Sequence, residues 1–306
     1  MGKKDKHFPI VAVTGSSGAG TSTVKEAFGH VFFRENIKAI LIEGDSFHRY
    51  DRDQMKLAVQ EAHKQGRTLS HFGRDANLFE DLAELFKTYR KTGGGRRRYY
   101  LHTNDEAQPW GLRAGQFTPW EEITEASDLL MYEGLHGGVS EVAPYVDLLI
   151  GVVPIINLEW IQKIQRDIHS RGYAPQDVVT TIKERMDDYV DFITPQFSRT
   201  DINFQRIPTV DTSNPFIARD VPSEDESLVV IRIKKRLIRQ YNIDLTFLKN
   251  MIEHSFISRR NTLVVPGPKM GLAMEILVTP IIEDLVSRSP GYSKKEKKNP
   301  LSNNRS

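Results

Sequence analysis

The sequence predicts a single α/β domain around a mixed, mostly parallel sheet, and three observations predict it. A short β-branched run, Ile10–Val13, leads straight into a glycine-rich turn, Gly15-Ser-Ser-Gly-Ala-Gly20, and a helical pattern begins at about Ser22. Strand and helix signals alternate through the first half of the chain, the pattern of parallel βα units. Two further runs, Asp128–Tyr132 and Val146–Val153, are compact and mostly apolar, as strands buried on both faces are.

Taken in order, Pro9–Thr14 reads as the first strand, Ser22–Arg34 as a helix and Lys38–Glu43 as a second strand. Asp51–Gln65 and Asn77–Lys91 space their apolar residues near a 3.6 period, which predicts helices. Gly93-Gly94-Gly95 ends the latter as a turn. Arg97–Thr124, rich in aromatic residues, Thr and Pro, reads as short strands and loops. After the two apolar strands come helices over Leu158–Arg171 and Pro175–Val190, with Gly172 between them. Leu228–Ile233 is β-rich, and Met270–Val286 is a closing helix. The middle insertions and this late strand make the sheet mixed. Residues 1–290 form the domain, and the polar, lysine-rich stretch 291–306 is expected to be disordered. There is no internal repeat.

Composition narrows the function classes. With 306 residues the chain is long enough for a substantial core, and 39% hydrophobic and 27% charged content is ordinary for a globular protein. A net charge of +2 gives no global field that demands nucleic acid or a membrane surface. No run approaches the ~20 apolar residues of a spanning helix, and MGKKDKHFPI lacks the apolar core of a signal peptide. Zero cysteines exclude disulfides, thiolate metal sites and dithiol control, so a reducing, cytoplasmic location is expected.

The glycine-rich turn carries the first chemistry. Gly15 to Thr23 follows the G-x-x-x-x-G-[K]-[ST] frame of a phosphate-binding loop, but Thr21 stands where the lysine belongs. Such loops turn backbone N–H groups of Gly15, Ser16, Ser17, Gly18, Ala19 and Gly20 inward around phosphate oxygens, and the following helix adds its positive end. Ser22 is then expected to reach Mg²⁺, with Thr23 beside it. The cation that should meet the outer phosphates must come from elsewhere.

Three constellations complete the chemistry. Asp128-Leu-Leu-Met-Tyr-Glu133-Gly134 is an apolar strand ending in an acid, the pattern that holds Mg²⁺ opposite the loop hydroxyl. Glu43-Gly-Asp45-Ser-Phe-His48-Arg49-Tyr-Asp-Arg52-Asp-Gln-Met-Lys56 follows the second strand, so it emerges where α/β proteins bind ligands. Asp45 is placed to accept a proton from an attacking hydroxyl. If the segment is helical, His48, Arg52 and Lys56 stack on one face and suit an anionic ligand. Lys163, Asp167 and Arg171 share an i, i+4, i+8 face with Arg166 beside it, either a cover for the outer phosphates or ion-paired helix decoration. Arg96-Arg97-Arg98 is expected to be a solvated loop, and His136 a lining residue with no metal-ligand spacing.

In order along the chain, GSSGAGTST, EGDSFHRYDR, YEGLHGG, VVPIINLEWIQKIQRD, SRGY, TPQFSRTDINFQR and VDTSNPFIARD resemble the phosphoribulokinases of the bacterial type, from about Pro9 to Arg288. The resemblance implies a P-loop, nucleoside-kinase-like fold. It implies transfer of the ATP γ-phosphoryl group to O1 of D-ribulose 5-phosphate, which makes the carbon dioxide acceptor of the reductive pentose phosphate cycle. It implies Asp45 as catalytic base, Glu133 as a second carboxylate near Mg²⁺, and Asp167 as a further catalytic acid. Lys163 would approach ATP, while His48, Arg52, Lys56, Arg166 and Arg171 would hold the sugar phosphate. It also implies activation by NADH and inhibition by AMP through Arg34, Arg232 and Arg259, and assembly into homo-oligomers, often octamers. The alternatives are a uridine-kinase-like activity and a catalytically silent nucleotide sensor.

Overall fold

The computed structural model describes residues 7–15, 21–169, 172–218 and 220–290, with the backbone alone for Thr21 and Ser22. The loop residues Ser16, Ser17, Gly18, Ala19 and Gly20, together with Arg171 and the stretch 291–306, lie outside the described residues.

Ten strands run through them: β1 (Ile10–Gly15), β2 (Ala39–Glu43), β3 (Arg96–Arg97), β4 (Glu121–Glu122), β5 (Leu129–Gly134), β6 (Leu148–Pro154), β7 (Ile202–Pro208), β8 (Ser227–Ile233), β9 (Phe256–Arg259) and β10 (Thr262–Pro266). Eight of them form one sheet in the order β2-β5-β1-β6-β7-β8-β10-β9, while β3 and β4 make a small separate pair. β2, β5, β1, β6 and β7 pair in parallel. β8, β10 and β9 continue the sheet antiparallel. The mixed, mostly parallel sheet expected from the sequence is therefore present.

Strand alternation divides the core. Successive side chains of a strand point to opposite faces. Val11 and Val13 face one layer with Val24, Phe28 and Val31 of α1 (Thr21–Arg34) and with Met274, Leu277 and Ile281 of the helix Met270–Val286. Ile10 and Ala12 face the other, where Phe79, Leu82, Phe86 and Tyr89 of a helix over Phe79–Thr92 pack. Each fully buried Leu or Phe contributes roughly 1.5–3 kcal/mol, so the two layers fix the sheet from both sides.

Local chemistry sets the element ends. Asp51 caps α2 (Arg52–Lys64), accepting from the N–H groups of Asp53 and Gln54 in a capping box with the Gln54 side chain. α3 (Phe79–Thr92) begins two residues later than the spacing predicted, because Asn77 is used elsewhere: its amide donates to the carbonyls of His71 and Gly73. Helix α3 closes at Gly93, whose φ of 76° is the left-handed conformation glycine tolerates. The expected Pro175–Val190 helix stops at Glu184 and continues as a Met186–Asp188 turn and a π-helical turn over Tyr189–Ile193. The wider turn carries the Tyr189 hydroxyl to buried Glu159 (3.0 Å) and its ring to Phe72. Strands β7, β9 and β10 were not among the sequence expectations, and they supply most of the antiparallel edge.

Gln196 ties the centre of the sheet to the loop beyond β5. It is 1% exposed. Its Oε1 accepts from Thr14 Oγ1 (3.0 Å) and Gly138 N (2.8 Å), and its Nε2 donates to the carbonyls of Leu135 and Phe192. Gln196→Leu should leave several buried groups without partners and lower unfolding stability by on the order of 3 kcal/mol. A denaturant titration with unchanged slope and an unmoved midpoint would contradict this.

Candidate active site

The parallel strands deliver three carboxylates to one edge. In the β2–β5 register Glu43 lies beside Glu133, the last side chains before Gly44 and Gly134. Those glycines allow the strand ends to close up: a Cβ on Gly44 would lie 2.6 Å from the Tyr132 hydroxyl and 2.9 Å from the Gly134 Cα. Asp45 follows in a 3-10 turn, Gly44–Phe47. Lys25, one turn into α1 beyond Thr21, places Nζ 2.7 Å from Glu43 Oε1 and 3.9 Å from Glu133 Oε2. His102 Nε2 lies 3.7 Å from Glu43 Oε2 and 4.0 Å from Asp45 Oδ2.

The environments push these acids apart. His102 first, with Lys25, holds the Glu43 carboxyl down to about 2. Desolvation raises both Asp45 and Glu133, and the neighbouring carboxylates add to it. The Asp45 side chain nonetheless keeps 44% of its surface, open to the cleft. An acid of raised pKa at a strand end is the form a general base takes.

Beside Asp45 stands a wall of histidines. His48 Nε2 is 3.7 Å from Asp45 Oδ1, and its ring stacks on His71 at 4.4 Å between centroids. His136 Nε2 lies 3.0 Å from the Phe72 carbonyl. Burial pushes His48 and His71 down to about 3 and His136 to about 4, so all three are uncharged at neutral pH.

This corrects the expected cationic stripe. His48 precedes α2 in extended backbone, paired with Asn77, so it does not stack with Arg52 and Lys56, and it carries no charge. Helix α2 could not start at His48, because Asp51 is the cap. Arg52 turns into the site, donating to the His102 carbonyl (3.3 Å) and packing over Gly115. Lys56 is exposed beside Asp53 (3.6 Å). The Arg96–Arg98 run is corrected as well. Arg98 donates to the carbonyls of Ser46 (2.8 Å) and His48 (2.5 Å) and lies over the rings of Phe117 and Trp120, while Arg97 pairs with Glu121 and Glu125. Arg98 thus braces the Asp45 turn and Arg97 ties β3 to the β4 segment, while Arg96 is exposed as expected.

The second cationic cluster sits on the helix Ile156–His169. Lys163 Nζ is 2.5 Å from Asp167 Oδ2, and Arg166 Nε is 3.2 Å from Asp167 Oδ1. Asp167 is buried. Desolvation lowers the Lys163 pKa. Arg185 lowers both Lys163 and His71, so the two clusters face a common neighbourhood. Beyond the helix, Gly172 has φ 69°, and the Tyr173 N–H donates to the Asp167 carbonyl.

The remaining expected residues fall as follows. Gly15 ends β1, and the Thr23 methyl packs toward Gly271. Arg232 and Arg259 line one pocket of about 350 Å³ with Asn203, Gln205 and Thr262. Arg34 stands elsewhere, at the end of α1, bonded to Thr279 (2.7 Å) and Glu275 (3.4 Å). Sequence reasoning missed Lys25, Glu43, His71, Arg98 and His102. A signal existed for Lys25 and Glu43: one lies a helical turn after Thr21, and the other ends the second strand. The rest reach the site only through tertiary packing.

Residues 10–213 match the family model described as "Phosphoribulokinase / Uridine kinase family". The chain is 54% identical over 288 residues to a Cupriavidus necator protein named "Phosphoribulokinase, plasmid", covering 92% of this chain and 97% of that one. It is 53% identical over 285 residues to "Probable phosphoribulokinase" of Escherichia coli, with the same coverage. A solved phosphoribulokinase structure from Rhodobacter spheroides is similar at a TM-score of 0.84 and 50% identity, over 92% of this chain and 98% of that one.

A pH dependence follows from Glu43. Its folded pKa is depressed below the ordinary 4.5, so the stability it contributes is present above that value and lost as pH falls toward about 2. The contact is solvent-screened, with Lys25 55% and Glu43 42% exposed, so the effect is small. Between about pH 5 and pH 3 the wild-type denaturation midpoint should fall more steeply than that of Glu43→Gln. Parallel slopes would contradict the assignment.

Proposed function

The chain belongs to the phosphoribulokinase / uridine kinase family, and on that premise we propose that it transfers the γ-phosphoryl group of ATP to the 1-hydroxyl of D-ribulose 5-phosphate. The observation that carries this reading is identity above half over nearly the whole length of proteins named phosphoribulokinase. The geometry supports it: Asp45, of raised pKa and with an accessible side chain, stands beside His102, whose carbonyl holds Arg52, as transfer to a hydroxyl on a phosphorylated sugar requires. A nucleoside acceptor would give Arg52 and Arg166 no phosphate to meet. Proximity of Asp45, Glu133, Lys163 and Asp167 to one neighbourhood supports a working kinase over a silent sensor.

In this mechanism Asp45 orients the 1-hydroxyl and takes its proton as the hydroxyl attacks in line, with no phosphoenzyme. His48 and His102 hold the base from two sides. Arg52, Lys56, Arg166 and Arg171 clamp the distal 5-phosphate, so remote binding energy positions the reacting end. Lys163 replaces the missing loop lysine at the ATP phosphates, and Asp167 holds its ammonium in place. Among the described residues no group of three or more His, Asp or Glu forms a metal cage. That fits Mg²⁺, which takes one or two carboxylates plus substrate phosphates. Glu133 and Ser22 would hold it, and it would neutralise charge developing on the transferred group.

Regulation and assembly extend the reading. The pocket between Arg232 and Arg259 suits a phosphate-bearing part of NADH, while Arg34 would act from a separate place on α1. On this reading the enzyme is a cytoplasmic homo-oligomer of up to eight copies that serves the reductive pentose phosphate cycle. No described helix is long and apolar enough to cross a membrane.

ADP release should be seen with ATP and ribulose 5-phosphate and not with uridine, and NADH should raise it; turnover of uridine alone would overturn the reading. Asp45→Asn should fold normally and lower kcat by at least ~10²-fold, the scale of a lost base. Lys163→Met should lower kcat more than it weakens ATP, whereas Arg52→Gln should chiefly raise KM for the sugar phosphate. A rise confined to the KM for ATP in Arg52→Gln would remove Arg52 from the clamp.

A further inference from the structure

The turn Ser70–Gly73 is held from four directions. Ser70, fully buried, donates to Asp188 Oδ2 (2.6 Å) and accepts from the Phe72 N–H. The Phe72 ring meets Tyr189 at 5.4 Å, and the Phe72 carbonyl meets His136 Nε2. Buried Asn77 donates to the carbonyls of His71 and Gly73. No side chain fits at Gly73, where a Cβ would lie 2.7 Å from the Asp188 carboxylate.

All of these restraints use the backbone of His71 or the side chains of its neighbours. The His71 ring only stacks on His48, and its Nδ1 is buried without a hydrogen-bond partner among the described residues. An apolar ring of the same shape would fill that space at lower cost, because a buried polar atom left unpaired is destabilising. A turn this constrained, presenting a ring whose hydrogen-bonding capacity the fold leaves unused, has the form of a preorganised ligand contact. The ring lies beside His48, near enough to Asp45 for the two to influence each other's titration, and burial above all, with Arg185 adding to it, keeps it from taking a proton. An uncharged imidazole both donates and accepts, which matches a polyol chain and would not compete with the arginines for phosphate.

We propose that His71 is a substrate-contacting residue whose imidazole hydrogen-bonds a hydroxyl of the pentulose chain between the reacting O1 and the 5-phosphate. The proposal rests on the phosphoribulokinase reading and adds a recognition group to it. The Ser70–Asp188 bond joins this contact to the chain segment that follows Arg185, on the side of the Lys163 cluster.

The test compares wild type, His71→Leu and His71→Asn with ribulose 5-phosphate and its 3-deoxy and 4-deoxy analogues, with folding checked by thermal melts. His71→Leu should lower kcat/KM for ribulose 5-phosphate at least about tenfold, the scale of one buried hydrogen bond, with KM for ATP within about twofold. His71→Asn, which keeps an amide near Nδ1, should recover most of the loss. For the analogue lacking the contacted hydroxyl, wild type and His71→Leu should become alike. Wild-type kinetics in folded His71→Leu would overturn the proposal, as would an equal loss on every analogue without recovery in His71→Asn. If His71→Leu does not fold, His71→Phe takes its place: loss of discrimination between the analogues in that variant supports the contact, and wild-type discrimination in it rejects the contact. A wild type that fails to phosphorylate ribulose 5-phosphate rejects the reaction itself, an outcome separate from these.

Discussion

The parallel register of β2, β5 and β1 is the constraint on which the site depends. Parallel strands all end at the same edge. Glu43 therefore stands beside Glu133, and Glu133 beside Val13, two residues before β1 ends at Gly15. A shift of one residue in either pairing would turn a carboxylate to the opposite face. The apolar layers on both sides of the sheet hold that register, and Gln196 locks Thr14 to the loop beyond β5.

Once three carboxylates share one sheet edge, electrostatics sorts them. Lys25 and His102 keep Glu43 ionised, while Asp45 and Glu133 feel desolvation more strongly and are pushed upward. The histidine wall adds polarity without charge. Fixed cations lie farther out, on α2 and on the Ile156–His169 helix, where an anionic substrate would meet them. This division suits phosphoryl transfer, in which positioning and charge stabilisation do most of the work.

Much of this was legible in the sequence. The β-branched run before Gly15, the 3.6-period helices and the apolar strands Asp128–Tyr132 and Val146–Val153 read out the parallel core, because local pattern and burial agree there. The antiparallel edge beyond β8 was not legible, since every residue of β9 is on the exposed side and β10 is short, so neither has a strong period. In the site, Asp45 and Glu133 stood out because strand ends carry position in their sequence. The stripe that a helical segment would have made of His48, Arg52 and Lys56 did not form, because spacing of four cannot reveal that Asp51 caps the helix or that burial removes the His48 charge. Arg98 looked like surface because nothing local discloses the Phe117 and Trp120 rings beneath it. His71 and His102 are brought in by packing between distant segments, which spacing along the chain does not encode.

The central claim is that Asp45 receives the proton of the attacking sugar hydroxyl at this sheet edge. A crystal structure with ribulose 5-phosphate and a non-transferable ATP analogue tests it most directly. The account predicts O1 of the sugar at roughly 2.6–3.2 Å from an Asp45 carboxylate oxygen, with the γ-phosphorus analogue on its far side. A sugar bound with O1 directed to another base, or with its 5-phosphate at the Asp45 turn, would contradict it.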